Sequence, residues 1–362
     1  MSGSKGAACL EPPPPSTAED LDAAIQAFGR DASRLFGASA PNPTVTARLS
    51  RPFSEIAKVR LGGRNGPISV FVKVARSGPG RPDRSELHRR VVRDFELNQT
   101  LHAFMKGYNG LSVVQPVACY PQHLAIVTEE APGETLLVYL ERRARWWPGP
   151  PARAQLIRDC ERIGAWLRAF QSATPVDHLE DLLETRAYID VRLKRLVDNT
   201  RARFSNEDRL AVLRAVDLCA AAVTPHERRS VAAHADFAMG NILVDGSRVT
   251  VLDFAMGADG LRLHDLSHLY MQLDLLAMKP YFRRRTVSAL QRALLAGYGE
   301  PDAHTDPLFR ILMAQHRACH YLGLAERPGA ALEGLYNARL ARAHLAQLRL
   351  FATAPMRSGG PA

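Results

Sequence analysis

Asp236, Asn241 and Asp253 are close together in the segment HADFAMGNILVDGSRVTVLDF, which begins at His234. Carboxylate and amide oxygens are hard ligands, and Mg²⁺ in proteins takes one or two of them together with water and phosphate oxygens. A further carboxylate that does not bind the metal can accept a proton from a hydroxyl nucleophile. Side chains of these types are what phosphoryl transfer requires: positioning, charge neutralisation and a base.

The residues between these side chains predict how they are brought together. Residues 242–244 and 249–252 are short apolar runs on either side of an Asp245-Gly246 turn signal, so they predict a β-hairpin. In that hairpin Val244 faces Val249 and Ile242 faces Val251. Asn241 and Asp253 then meet at its open end, because cross-strand neighbours are about 5 Å apart. Asp236 lies on the loop that leads into the hairpin.

The pattern H-x-D-x-x-x-x-N, followed by D-F, resembles the catalytic loop and metal motif of the aminoglycoside phosphotransferase and choline kinase family, relatives of protein kinases. The match is at His234, Asp236, Asn241 and Asp253. The resemblance implies that Asp236 is the catalytic base, that Asn241 and Asp253 bind Mg²⁺ and that ATP is the phosphate donor. Ala235 stands where protein kinases usually carry Arg, which favours a small-molecule kinase.

The same resemblance implies a phosphate-binding lysine on a strand and an acidic partner on the next helix. Lys73 is the single lysine in the apolar run VFVKV and is assigned the phosphate-binding role. Glu96, on the predicted helix from Arg84 to Met105, is assigned as its ion-pair partner, and Glu86 on the same helix is the alternative. For each residue the competing interpretation is an ordinary solvated position.

The resemblance also implies an adenine site at the junction of two lobes, where the backbone of Thr128, Glu129, Glu130 and Ala131 would contact the base. Residues 50–55 would cover the phosphates, although they lack the glycines of protein kinases. Asp265 in the HDLS segment resembles the aspartate that supports the catalytic loop, and His234 is assigned a supporting role with it.

The surrounding elements predict an α+β, bilobal, protein-kinase-like fold. Residues 44–76 are rich in β-branched residues and predict strands, followed by the helix from Arg84 and two further short strands, which gives a mostly antiparallel small lobe over 21–130. Residues 131–355 are predominantly of helical pattern around the hairpin and form the larger lobe. The proline-rich residues 1–20 and residues 356–362 are predicted to be tails.

Composition favours a soluble, cytoplasmic enzyme. No apolar run approaches the roughly 20 residues that span a bilayer, and no signal peptide begins the chain. The five cysteines are scattered and contain no CxxC, so neither a disulfide framework nor a thiolate metal site is expected. The net charge of +10 is attributed to solvated arginine-rich helix faces, because no basic run alternates with aromatic residues as in a nucleic-acid surface.

Two other functions are consistent with the motif residues. His234, Asp236, His264, Asp265 and His268 could be the ligands of a metal-dependent phosphohydrolase. The chain could also be a nucleotide-binding pseudokinase, although the motif residues of an active kinase are all present.

The small-molecule acceptor is predicted to be a sugar, an aminoglycoside-like compound or a related metabolite. Among these, a neutral or anionic acceptor, such as a sugar or a phosphorylated metabolite, is preferred to a polycationic antibiotic. From Lys279 to the end the chain has twelve Lys or Arg residues against five Asp or Glu, a balance that suits a polycation poorly.

Overall fold

A five-stranded antiparallel sheet in the N-terminal part and helices in the C-terminal part confirm the predicted α+β class. The computed structural model describes residues 17–36, 43–63, 66–76, 82–146, 148–326 and 331–353. Within it the chain divides into two units. The first comprises residues 1–100 and 114–131, and the second comprises residues 101–113 and 132–362.

The first unit contains one antiparallel sheet with strands in the order β1-β2-β3-β6-β5. Its strands are β1 (Thr44–Arg51), β2 (Ser54–Gly63), β3 (Gly66–Ala75), β5 (Pro116–Tyr120) and β6 (Ala125–Glu129). Val70, Val72 and Val74 on β3 are fully buried, while the residues that alternate with them are only partly buried. Period-two alternation of this kind is what places successive side chains on opposite faces of a strand.

Helix α1 (Thr17–Phe36) was not predicted. Residues 17–20 had been assigned to the N-terminal tail, but they form the first turn of this helix. Leu21 and Phe28 on its apolar face join the hydrophobic core of the first unit. The carboxylate of Asp20 accepts two hydrogen bonds of 3.0 Å from the guanidinium of Arg84, at the start of helix α2 (Arg84–Met105). Residues 1–16 and 354–362, which include the rest of both predicted tails, lie outside the described residues.

The second unit carries the predicted hairpin among its helices. Its helices are α3 (Leu136–Arg143), α4 (Pro150–Ala173), α5 (Leu182–Asp198), α6 (Asn206–Ala222), α7 (His264–Leu276), α8 (Arg284–Tyr298), α9 (Pro307–Glu326) and α10 (Ala331–Thr353). Short 3₁₀ helices span Pro121–His123 in the first unit and Ala303–Thr305 in the second.

Two small sheets complete the second unit. Its strands are β4 (Leu111–Val113), β7 (Glu134–Thr135), β8 (Pro175–Leu179), β9 (Arg229–Ala233), β10 (Ile242–Asp245), β11 (Arg248–Val251) and β12 (Ala258–Leu261). One sheet has the order β4-β11-β10-β7 and the other the order β12-β9-β8. Strand β4 pairs in parallel with β11. This pairing explains why residues 101–113 belong to the second unit, although they had been placed in the N-terminal lobe.

Helices α4 and α8 approach each other at two glycines. A Cβ atom on Gly164 would lie 2.1 Å from the carbonyl oxygen of Leu294, and one on Gly297 would lie 1.9 Å from that of Glu161. Both distances are far below contact distance, so only glycine permits this backbone packing. The contact holds α4 in place, and α4 carries Trp166 and Phe170, which pack against the aromatic residues on either side of the hairpin.

None of the helices in the described part of the chain is long and apolar enough to cross a membrane.

Candidate active site

The hairpin of β10 and β11 has the register that the sequence predicts. Ile242 pairs with Val251 and Val244 with Val249. Beyond the last pair, the N–H of Leu252 donates to the carbonyl oxygen of Asn241 over 2.9 Å. Asn241 is therefore adjacent to the residue that precedes Asp253, as the predicted meeting of the two side chains requires.

Asp236 and Asn241 are in direct contact. The side-chain Nδ2 of Asn241 donates to Oδ2 of Asp236 over 2.9 Å and to its carbonyl oxygen over 3.0 Å. The side chain of Asn241 thus closes residues 236–241 into a loop. The contact fixes the carboxylate of Asp236 relative to the hairpin.

His234 joins the loop to the second strand of the hairpin. Its ring is fully buried. Nε2 donates to the carbonyl oxygen of Leu252 over 2.9 Å, and Nδ1 accepts from the N–H of Asp236 over 3.3 Å. One imidazole therefore positions both the residue before Asp253 and the backbone of Asp236.

Asp265, the first-turn residue of α7, accepts two backbone hydrogen bonds from the same loop. Oδ2 accepts from the N–H of His234 over 2.6 Å, and Oδ1 from the N–H of Ala235 over 3.0 Å. Burial acts to raise the pKa of Asp265, but hydrogen bonding and charge from His264, with the charge and N–H of His234, outweigh it and lower that pKa. The carboxylate is thereby held in its ionised, accepting form.

The backbone at this site is unusual at two positions. Ala235 has φ = 61° and Asp253 has φ = 66°, in the left-handed region that non-glycine residues seldom adopt. Strained residues of this kind persist only where the surrounding structure fixes them, and they cluster at functional sites. For Ala235 the fixing contact is the hydrogen bond to Asp265.

A layer of aromatic rings supports the loop from below. Trp166 of α4 stacks on Phe237 of the loop, with ring centroids 5.6 Å apart and planes 14° apart. Phe254, which follows Asp253, packs against His234 at 4.9 Å. The indole N–H of Trp166 donates to the carbonyl oxygen of Ser112 over 2.8 Å, so the layer is also tied to β4.

Lys73 lies at the centre of the sheet in the first unit. It pairs with Ile56 on β2 and with Ile126 on β6, and Ile126 in turn pairs with Cys119 on β5. Directly paired residues project from the same face of a sheet. Lys73, Ile126 and Cys119 therefore form one row on one face.

The acidic side chain that α2 buries is Asp94. Val91, Asp94 and Asn98 follow helical spacing on the buried face of α2, and Asp94 is only 6 % exposed. Burial, followed by the charges of Asp94 and Glu96, raises the pKa of Cys119 to about 11. The Sγ atom of Cys119 also contacts the carbonyl oxygen of Val91 at 4.0 Å, so α2 lies beside the row that contains Lys73.

Neither of the two glutamates predicted as partners of Lys73 is buried: Glu86 is half-buried and Glu96 is exposed. Glu96 is exposed, about half a helical turn away from Asp94. Glu86 forms ion pairs with Arg89 at 2.7 Å and with Arg90 at 2.8 Å. The pairing of Glu96 or Glu86 with Lys73 stays a prediction, and the buried Asp94 is a further candidate. The sequence analysis did not include Asp94 as a candidate, although its helical spacing from Val91 and Asn98 is visible in the sequence.

The residues assigned to adenine binding are the last two of β6, the strand next to Lys73, and the two residues directly after it. Thr128 and Glu129 end β6 and pair with Phe71 and Val70. The N–H of Glu129 donates to the carbonyl oxygen of Gln115 over 3.0 Å, and that of Glu130 to Ser69 over 2.9 Å. These two N–H groups are therefore occupied by the fold.

The turn between β1 and β2, predicted to cover phosphates, is held by Arg76. The guanidinium of Arg76 bonds to the carboxylate of Glu55 and, over 2.5 Å, to the hydroxyl of Ser50. The backbone N–H of Arg76 donates to the carbonyl oxygen of Phe53 over 2.9 Å. An ion pair restrains a turn that lacks the glycines of protein kinases.

The geometry disfavours the alternative set of transition-metal ligands. Across the described residues, no group of three or more His, Cys, Asp or Glu side chains is placed to hold a metal ion. Instead, the ring nitrogens of His234 and the carboxylate of Asp265 are engaged in loop hydrogen bonds. His268 and His316 stack on each other at 5.0 Å.

Solved structures share this fold. An amicoumacin kinase, hAmiN, aligns with a TM-score of 0.54 and 17 % identity over 89 % of this chain and 93 % of its own. A choline/ethanolamine kinase family protein from Mesorhizobium loti gives 0.54 and 16 % over 92 % and 100 %. The aminoglycoside phosphotransferase APH(2'')-Ib gives 0.52 and 14 % over 91 % and 99 %. The fold is therefore that of the protein-kinase-like phosphotransferases.

The family follows from the sequence itself. The family model described as "Phosphotransferase enzyme family" (APH) matches residues 60–309, which is more than half of the chain. The chain belongs to this family, whose members are phosphotransferases. No curated protein matches the chain significantly.

Proposed function

We propose that this protein is an ATP-dependent kinase that transfers the γ-phosphate to a hydroxyl group of a small molecule. The observation that carries the proposal is the hydrogen-bonded arrangement of Asp236 and Asn241 beside the hairpin end that bears Asp253. Membership in the phosphotransferase family agrees with it. ATP as donor is supported by the kinase relatives, of which one was solved with AMP-PNP and one with ADP. An ATP-using enzyme of this kind suits the cytoplasm.

The reaction assigns Asp236 as the base. The acceptor oxygen forms a bond to the γ-phosphorus as the bond from that phosphorus to the β,γ-bridging oxygen breaks, and ADP leaves with the electron pair. The hydroxyl proton passes to the carboxylate of Asp236. Nδ2 of Asn241 keeps that carboxylate in position, and His234 and Asp265 hold the loop that carries it.

Asn241 and Asp253 fit a magnesium ion by their chemistry. Both offer oxygen ligands from adjacent positions at the end of a rigid hairpin, and Mg²⁺ accepts few protein oxygens when phosphates supply others. The Nδ2 atom of Asn241 is held by Asp236, so its amide oxygen is the atom directed elsewhere. When bound, the ion would neutralise charge on the phosphates.

We assign nucleotide binding to Lys73 and to residues 128–131, at the end of β6 and directly after it. Lys73 would bind the α- and β-phosphates, and Asp94 rather than Glu96 would be its ion-pair partner. A buried carboxylate requires a nearby cation or hydrogen-bond donors, and Asp94 is buried beside the strand row that contains Lys73. Neither residue lacks an interaction partner. Among Glu129, Glu130 and Ala131, the N–H of Ala131 would donate to adenine, because the other two are occupied.

The test is a screen of ADP formation from ATP and Mg²⁺ against sugars, amino sugars, amino alcohols and nucleosides, with mass detection of the phosphorylated product. The wild-type chain should give a product that is heavier by one phosphate. Asp236→Asn should lower turnover by about 10²–10⁴-fold while ATP still binds. ATP binding without any product would support the pseudokinase alternative. Undiminished turnover in Asp236→Asn would refute the assignment of Asp236 as the base.

A further inference from the structure

A cavity lies between helices α7, α9 and α10 of the second unit. Its volume is about 360 Å³, which falls within the usual range of ligand pockets, roughly 300–1,000 Å³. Its described lining includes no residue of the loop and hairpin at 234–254. The cavity is therefore separate from the candidate active site.

Helix α9 separates this cavity from a smaller one beside the catalytic loop. The smaller cavity, of about 260 Å³, is lined by Ala235 of that loop and by Leu312 and Gln315 of α9. Arg310 and Arg317 of the same helix line the larger cavity. Because successive residues of a helix turn by about 100°, these two pairs project from opposite sides of α9. A ligand in the larger cavity would therefore lie across α9 from the catalytic loop.

The charged side chains of the larger cavity leave an excess of one positive charge. Arg310 and Arg317 are basic and Asp274 is acidic, and no other lining residue in the described chain is Lys, Arg, Asp or Glu. With His304 counted as neutral, two positive charges face one negative charge. A singly charged anion would restore the balance, whereas a cation would add to the excess.

Arg317 brings a buried charge to the wall of this cavity. The residue is only 8 % exposed, and its guanidinium donates to Oδ2 of Asp274 over 2.8 Å. A guanidinium carries five N–H donors in one plane and forms paired hydrogen bonds with carboxylates. Arg317 can therefore bind a second carboxylate beside that of Asp274.

Aromatic rings form the apolar part of the wall. The Cζ atom of Arg310 lies 5.7 Å from the ring centroid of Phe351. Tyr270 and Phe309 pack edge to face, with ring centroids 5.3 Å apart and planes at 88°. All three rings line the cavity. Because aromatic rings make favourable edge-to-face and offset contacts with other rings, this wall suits a ligand that has a ring of its own.

We propose that the cavity between α7, α9 and α10 is a second ligand site, which binds a small aromatic monocarboxylate. The carboxylate binds the guanidinium groups of Arg310 and Arg317, and the ring packs against Tyr270, Phe309 and Phe351. No covalent bond changes at this site. Binding here does not require the kinase function proposed above.

The experiment measures the dissociation constants of four probes for the full chain by calorimetry. Phenylacetate has the carboxylate and the ring, phenethyl alcohol and phenethylamine keep the ring with a neutral or positive group, and acetate keeps the carboxylate alone. We expect phenylacetate to bind in the millimolar range, as its size allows, and at least about fivefold more tightly than each of the others. An affinity for phenylacetate no greater than that for phenethylamine or acetate, or no binding of it, would overturn the proposal.

Variants of the charged wall locate the effect. Arg310→Gln should weaken binding of phenylacetate about fivefold or more and leave phenethyl alcohol within about twofold. Asp274→Asn should instead strengthen binding of phenylacetate by about threefold, because it removes the carboxylate that competes for Arg317. Arg342→Gln, at an exposed position of α10 outside the cavity, should match the wild type. Unchanged binding of phenylacetate in both cavity variants, each shown to be folded by a thermal melt, would contradict the site.

A nucleotide analogue distinguishes this cavity from the candidate active site. Saturation with AMP-PNP and Mg²⁺ should leave the affinity for phenylacetate within about twofold, because the two sites lie on different sides of α9. Displacement of phenylacetate by AMP-PNP would assign the probe to the nucleotide site and refute the second site.

Discussion

Nδ2 of Asn241 lies 2.9 Å from Oδ2 of Asp236 and 3.0 Å from its carbonyl oxygen, so one amide group fixes the residue assigned as base. The same side chain is assigned to the metal through its other atom. Under these assignments, positioning of the base and binding of the metal would be coupled at one residue.

Replacement of Asn241 should disturb both roles at once. Asn241→Ala removes the hydrogen bonds to Asp236 and a magnesium ligand, so kcat should fall by about 10²-fold or more and the Mg²⁺ concentration needed for half-maximal rate should rise. Steady-state kinetics in a magnesium titration measures both. Asp245→Asn, at the exposed turn of the same hairpin, is the control. A fall in kcat with an unchanged magnesium dependence would remove Asn241 from the metal site.

The acidic partner of Lys73 can be tested by comparing two positions on α2. Asp94→Asn should raise KM for ATP about tenfold, because Lys73 would lose a charged partner that orients it. Glu96→Gln should be close to wild type, since Glu96 is exposed. Kinetics at saturating acceptor, with a thermal melt to confirm folding, measures the difference. The opposite ranking of the two variants would restore Glu96 as partner.

Asp265 is expected to contribute to stability as well as to rate. In Asp265→Asn the neutral amide oxygen can replace only part of the two backbone contacts, which leaves a buried N–H of His234 or Ala235 facing an NH₂ group. We expect a loss of about 2–3 kcal/mol in the free energy of unfolding and a lower kcat. Urea denaturation measures the loss. Asp302→Asn, at an exposed position without a side-chain capping bond, should leave the free energy of unfolding unchanged. An equal loss in Asp302→Asn would contradict the supporting role of Asp265.

Substitution by alanine should have opposite effects at two helical glycines, because Gly297 lies in the close contact of α4 and α8 and Gly323 does not. Gly297→Ala would place a methyl group 1.9 Å from the carbonyl oxygen of Glu161 and should destabilise by at least about 2 kcal/mol. Gly323→Ala, in α9, meets nothing within 4 Å and should stabilise by about 0.5–1 kcal/mol through helix propensity. Chemical denaturation of both variants tests this contrast, and a neutral Gly297→Ala would contradict the packing.

Buried histidines should make the fold sensitive to acid. Burial, then the charge of His264, lowers the pKa of His268 to about 4, and burial, then His320, lowers that of His344 to about 3. Between pH 6.5 and 4 these histidines bind protons in the unfolded chain but not in the folded chain. The free energy of unfolding is therefore full above pH 6.5 and falls as pH decreases. For His268 the loss amounts to about 3 kcal/mol by pH 4.

The measurement is the free energy of unfolding at several pH values. His268→Gln and His344→Gln should each flatten the decline below pH 6.5, whereas His304→Asn, at an exposed position, should not. A decline of equal steepness in all three variants would assign the acid sensitivity to other groups.

Local pattern was enough to predict the hairpin and its register, because Asn241 through Asp253 are consecutive and their alternation and turn chemistry are self-contained. The bounds of α2 were likewise predictable from helical spacing. Helix α1 was missed because its apolar face follows a proline-rich stretch that dominates the local composition. Its burial against the sheet is a tertiary effect.

Side-chain partners were harder to predict than elements. Choosing Asp94 over Glu96 requires knowing which face of α2 is buried, and a two-residue difference along a helix reverses that face. The grouping of Asp259 with Glu180 and Glu184 around one cavity could not be predicted from the sequence either, because Asp259 is far along the chain from the two glutamates.

Trp166 gives the protein an intrinsic optical reporter. Its indole is fully buried and stacked on Phe237, whereas Trp146 is 61 % exposed. Light emitted by these two of the chain's three tryptophans will therefore differ in wavelength and in accessibility to a collisional quencher. A shift of the loop around Asp236 would change the surroundings of the indole of Trp166 through Phe237, so fluorescence of this ring can follow the loop without a label.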